Sequence, residues 1–176
     1  MRILARTDST TDKTIVLLDE LLTHTLPVRD LYKNARCQAA DTQFRHLRFL
    51  FDTHYKEQLR LVDVLVDGIR ALGGSSRVLA GIFLRDTPAS YAFRGRLDPS
   101  RLLCDLLDAH ESVLGAAHTA GTGSLQSDPS AVQEFAVGQV VLTNDLQGCS
   151  VQEQLIKFDR ERRFATTNFG GVNAYG

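Results

Sequence analysis

Three carboxylates and two guanidinium groups carry the main chemical signal in this 176-residue sequence. Asp52, Asp63 and Asp67 lie in one long stretch, with Arg48 inside it and Arg36 shortly before it. Carboxylate oxygens are cation ligands, whereas guanidinium has no lone pair to offer and stays charged at any physiological pH. What it offers is two parallel, charge-assisted hydrogen bonds to a carboxylate. Arg48 and Asp52 have the i, i+4 spacing at which helical side chains meet, so they can pair locally. The competing reading makes all five ordinary solvated charges on a helix face. His46 and His54 are eight residues apart, more than two turns, and are expected at the surface; His24, His110 and His118 are scattered. Cys37, Cys104 and Cys149 form no CxxC pair and read as packed thiols in a reducing compartment.

The element that must position the acids runs from residue 44 to 74. Phe44, Leu47, Phe51, Tyr55, Leu59, Val62, Leu65, Ile69 and Leu72 recur every three or four residues, which predicts one long amphipathic helix. At roughly 1.5 Å per residue it spans about 40 Å, the height of a helical bundle. Gly73 and Gly74 are expected to end it, because glycine takes the left-handed cap conformation cheaply.

A first helix is predicted from Thr10 or Thr11, after an irregular arm over residues 1–9, with Ile15, Leu18, Leu22 and Leu26 as its stripe and a kink at Pro27. The polar stretch from Gln38 to Thr42 reads as a turn. Residues 75–98 form a long crossover, with room for a short helix, that implies parallel, neighbouring second and third helices. Asp98 and Pro99 announce the third helix, with Leu102, Leu106, His110, Val113 and Ala117 inward and Gly121 and Gly123 at its end. Asp128 and Pro129 announce a fourth, with Val132, Phe135, Val140 and Leu142 as its apolar positions. Gly138 and Gly148 weaken it, and Ser150 with Glu153 could open a separate short helix. The tail from Ala165, residues 165–176, shows no period. The pattern is all-α: a ferritin-like four-helix bundle with a long crossover between helices 2 and 3, in one domain over residues 1–164.

A formal net charge of -1 and a pI near 6.5 give no overall attraction to nucleic acid or to an anionic membrane. No run of about 20 apolar residues and no signal-peptide core is present, so a cytoplasmic protein without membrane contact is expected.

The segment Arg36-Cys37-Gln38, Phe44, Arg48, Asp52, Tyr55, Asp63, Asp67 and IRALGG at 69–74 resembles, without a gap, the characteristic segment of the Dps proteins, miniature ferritins named as DNA-binding proteins from starved cells. The match is strong from about residue 31 to 74 and extends weakly over 11 to 158. In that family the corresponding His, His, Asp, Asp and Glu residues form an iron(II)-oxidising site between two subunits. The resemblance therefore implies iron as the metal at Asp52, Asp63 and Asp67, a homo-oligomeric cage of twelve subunits, and a role in stress protection and iron handling. This sequence departs from the pattern at both histidines, replaced by Arg36 and Arg48, and at the Glu, shortened to Asp67. Arginine cannot replace an iron ligand, so ion pairs with the acids are expected there and a weak or absent ferroxidase follows. Two other readings stay open: an active iron-storing ferroxidase with relocated ligands such as His46, His54 or helix-one residues, and a structural or DNA-compacting cage without iron chemistry. Family resemblance also points to Asp128 and Glu134 as pore acids. DNA contacts would fall to Arg2, Arg6, Lys13, Lys157, Arg160, Arg162 and Arg163, a weak phosphate-binding footprint that would place the protein at the nucleoid.

Overall fold

The computed structural model describes residues 4–39, 45–79, 98–123 and 130–169, with side chains for 10–39, 45–79, 98–121 and 130–164. Within them lie four long helices: α1 (Leu4–Gln38), α2 (Arg48–Ala71), α3 (Pro99–Gly123) and α4 (Ala131–Phe169). They pack in the ring order α1, α2, α4, α3. The helix α2 runs antiparallel to α1, since Arg36 meets Asp52 at one end and Ile15 lies against Gly74 at the other. It is antiparallel to α4 as well, with Gln147 beside Glu57 and Val132 beside Gly68. The short connection from α3 returns the chain antiparallel in α4, so α2 and α3 run in the same direction. They are diagonal rather than the neighbours expected, and no contact joins them among the described residues. The crossover between them fits the ferritin-like connection.

Leucines dominate the core. Leu18, Leu22, Phe51, Leu65, Leu103, Leu106 and Val140 are all sealed from solvent, each contributing about 1.5–3 kcal/mol by leaving water. All five residues expected on the inner side of α3 are buried: Leu102, Leu106, His110, Val113 and Ala117. The end of α2 is a Schellman turn: the Gly73 N–H donates to Arg70 O (2.9 Å) and the Gly74 N–H to Ile69 O (2.9 Å). Gly73 has φ +78°, where a side chain would be strained.

Several boundaries differ from the sequence expectation. The backbone of α1 is helical from Leu4, inside the expected arm, and continues through Pro27. The helix α2 begins at Arg48; Phe44 lies outside the described residues. Beyond it, Ser76 Oγ accepts from the Leu79 N–H and opens a helical turn at 77–79, where description of the crossover stops. At the start of α4, Ser130 caps the helix, accepting from the Gln133 N–H (3.2 Å); Asp128 and Pro129 lie outside the described residues. No new helix opens at Ser150. Its hydroxyl donates back to Leu146 O (3.0 Å), and α4 runs unbroken past Gly148 and through the first residues of the expected tail to Phe169. Neighbouring packing outweighs a glycine penalty of about 1 kcal/mol.

Two expected core residues of α4, Phe135 and Leu142, face outward, as does Leu59 of α2. The buried arc of α2 runs instead through Phe51, His54, Gln58, Leu61, Leu65 and Ile69.

Candidate functional site

The inner and outer faces of α2 carry two different sets of polar groups. On the outer face, Arg36 of α1 donates through Nη1 to Asp52 Oδ1 (2.9 Å), and Lys56 Nζ reaches Asp52 Oδ2 at 2.6 Å. The Arg36 guanidinium also lies 4.3 Å over the Tyr55 ring, a cation–π contact that fixes its plane. Hydrogen bonds from Lys56 and then Arg36 hold the Asp52 carboxyl below the usual carboxylate range. Both oxygens of Asp52 are thus engaged by cations.

The expected Arg48–Asp52 pair is absent: Arg48 is exposed and forms no ion pair among the described residues. Lys56, on the other side of Asp52 at the same i, i+4 spacing, takes that place. Asp63 is exposed, and Asp67 meets only Arg70 among the described residues, at 3.4 Å on the open surface. Asp52 and Asp63 are eleven residues apart, about 16 Å along the helix, so one chain cannot bring them to one ion. Among the described residues no three His, Cys, Asp or Glu side chains converge as a metal site within the chain.

The remaining expected site residues are dispersed. Glu134 sits exposed in the first turn of α4, and Asp128 lies outside the described residues. Lys13 is exposed on α1; Lys157, Arg160, Arg162 and Arg163 are exposed on the last turns of α4, with Asp159 and Glu161 among them. Arg2 and the side chain of Arg6 lie outside the described residues. All three cysteines are exposed thiols rather than packed ones.

The inner face holds what the sequence reading missed. His54, expected at the surface, is 6% exposed in the bundle interior, with Gln58 beside it and Tyr32, His110, Asn144 and Gln147 from the other three helices. Their hydrogen bonds have one consistent polarity. Asn144 Nδ2 donates to Val140 O (2.8 Å), which can only accept, so Asn144 Oδ1 must accept from His110 Nδ1 (2.9 Å). His110 Nε2 is then the bare nitrogen and accepts from the Tyr32 hydroxyl (2.7 Å). With its one proton committed, the Tyr32 oxygen accepts from His54 Nδ1 (3.0 Å). His54 therefore carries its proton on Nδ1 and a lone pair on Nε2.

Amides extend the chain. Gln58 Nε2 donates to Asn144 Oδ1 (3.2 Å) and Gln147 Oε1 (2.8 Å), and Gln147 Nε2 donates to Glu57 Oε2 (2.7 Å). Burial pushes His54 down to about 4, and it lowers His110 as well, so both imidazoles are neutral near pH 7. Burial, with the Glu57 charge added, raises Tyr32 well above its ordinary value. One signal could have found this set: His54 and Gln58 fall in phase with Leu61, Leu65 and Ile69, not with the charged positions.

Comparison with known proteins bears on the fold and the family. No family model matches the chain. A protein of Kitasatospora aureofaciens, described as uncharacterized and placed in the bpoA2 5′ region, is 33% identical over 105 residues, covering 60% of this chain and 70% of the relative. DpsC from Streptomyces coelicolor superposes with a TM-score of 0.70 at 29% identity, over 84% of this chain and 86% of its own. The chain belongs to the Dps family. Dps from Thermosynechococcus elongatus shares the fold, with a TM-score of 0.69 at 18% identity over 85% of this chain and 94% of its own. In this Dps chain, then, two cations close over the Asp52 carboxylate, and a hydrogen-bonded relay with neutral imidazoles fills the bundle behind it.

Proposed function

We propose that this Dps chain is the subunit of a miniferritin cage for stress protection and iron handling, in which ion pairs replace the intersubunit ferroxidase site. The observation that carries this reading is Asp52 held between Arg36 (2.9 Å) and Lys56 (2.6 Å). An iron(II) ion arriving there would have to displace two cations and would find no imidazole to replace them. Asp63 and Asp67, too far along α2 to serve Asp52 in the same chain, are available to a second copy packed antiparallel on this face. Such packing would bring Arg48 of one copy toward those acids of the other, completing the neutralisation. Exposed Leu59 on the same face, and Phe135, Leu142 and Leu146 on α4, supply apolar surface for assembly into a homo-oligomer, the dodecamer of the family.

Stopped-flow iron(II) oxidation of the assembled protein, with oxygen and with hydrogen peroxide, tests the proposal. The native protein should show no fast phase that depends on Asp52, and Arg36→His with Arg48→His should create one. A fast native phase abolished by Asp52→Asn would overturn it. A DNA-compacting role has one supporting feature, the exposed basic residues Lys157, Arg160, Arg162 and Arg163. A gel-shift series against salt tests that role: no shift at low ionic strength removes DNA as a direct partner.

A further inference from the structure

The proton order of the interior relay leaves one strong donor atom unused. His54 Nε2 holds a lone pair, makes no hydrogen bond to a described residue, and is not among the sealed, unpartnered atoms of the core. His54 instead forms part of the wall of a cavity of about 390 Å³ between α2 and α4. Glu57 lines the same cavity one turn along the helix. Its Oε2 is held by Gln147 Nε2 at 2.7 Å, and its Oε1 has no partner among the described residues. Thr143 and Ser150 of α4 also line the cavity, and the Ser150 hydroxyl donates its proton to Leu146 O, which leaves its oxygen lone pairs uncommitted by that bond.

We propose that His54 and Glu57 form a binding site for a divalent transition-metal cation that prefers mixed nitrogen and oxygen ligands, such as iron(II), zinc(II) or cobalt(II). Three features of the cavity fit that class. The first is the bare imidazole nitrogen, whose tautomer is set from behind: a metal-binding histidine ordinarily donates its other N–H to a fixed acceptor, and Tyr32 is that acceptor here. The second is a carboxylate three residues on, which a helix places on the same side and which Gln147 orients. The third is room for water and the α4 hydroxyls to fill the remaining coordination positions. Arg60 also lines the cavity, but it is exposed, where solvent screens its charge. This site is distinct from the outer carboxylates, because His54 is roughly 200° around the helix axis from Asp52. It stands whether or not the outer position binds iron.

Cobalt(II) titration of the assembled protein, read by visible ligand-field absorption and by equilibrium dialysis, tests the site. One cobalt(II) per chain should bind with a nitrogen and oxygen spectrum. Glu57→Gln keeps an acceptor for Gln147 but removes the charged ligand, and should weaken binding at least ~10-fold; Tyr32→Phe frees the His54 tautomer and should weaken it by ~10-fold. Circular dichroism of both variants confirms that the bundle is retained. Absence of bound cobalt, or native affinity in Glu57→Gln, would overturn the proposal.

Discussion

Asp52 and His54 stand two residues apart on α2 and meet opposite environments. Asp52 is a partly solvated carboxylate between two partly exposed cations, an arrangement whose worth is limited because water competes for every charge. His54 is enclosed, and its Nδ1 and the Tyr32, His110 and Asn144 groups beyond it are matched donor to acceptor, while Gln58 Oε1 beside them is buried without a partner among the described residues. Removing one member of the matched set costs the desolvation of the group left behind. The outer face can therefore exchange one charge for another at little cost to the fold. The inner face can exchange almost nothing singly.

The largest expected effect separates the two faces by pH. His54 titrates near 4 when folded and near 6.5 when unfolded, so the unfolded chain binds the extra proton between those values. Stability is then complete above pH 6.5 and falls as pH drops toward 4, by on the order of 3 kcal/mol from His54, with His110 acting in the same direction. Asp52, whose carboxyl is lowered, loses its contribution only as pH falls below its unfolded value of 3.8. Denaturant unfolding at a series of pH values should show the higher window, and His54→Gln should flatten its slope. A slope unchanged in that variant would break the inner half of the comparison.

Next in size, Tyr32→Phe removes the hydroxyl that serves both imidazoles and leaves His110 Nε2 and His54 Nδ1 unmatched. A loss of about 2 kcal/mol is expected in urea unfolding at pH 7.5. Gly73→Ala belongs to neither face and calibrates the scale, costing about 1 kcal/mol because the residue sits at φ +78°. The smallest effect is expected from Asp52→Asn, smaller than that of Gly73→Ala and shrinking further with added salt. If Asp52→Asn proved as costly as Tyr32→Phe, the contrast between the faces would fail.

The sequence made the bundle legible because its signals were local. The five inward residues of α3, the Asp98-Pro99 start and the Gly73 cap each depend on a few neighbouring residues, and all stand as expected. Boundaries inside α4 were not legible, since Gly148 and Ser150 lie in a helix whose continuity is set by packing on α3 and α2. The partner of Asp52 was a tie on spacing, with Arg48 and Lys56 each four residues away; Arg36, reaching from another helix, decides which side chain the carboxylate turns to. His54 and Gln58 were misread for a different reason. Hydropathy assigns polar residues outward, and only four helices meeting at one level, each supplying a matching donor or acceptor, make it favourable to bury them.

An anomalous-scattering structure of the assembled protein soaked anaerobically in iron(II) tests the replaced-site account most directly. It should show no metal between Asp52 of one copy and Asp63 and Asp67 of another, with Arg36 still on the carboxylate. Iron density at that position, with Arg36 and Lys56 displaced, would contradict it.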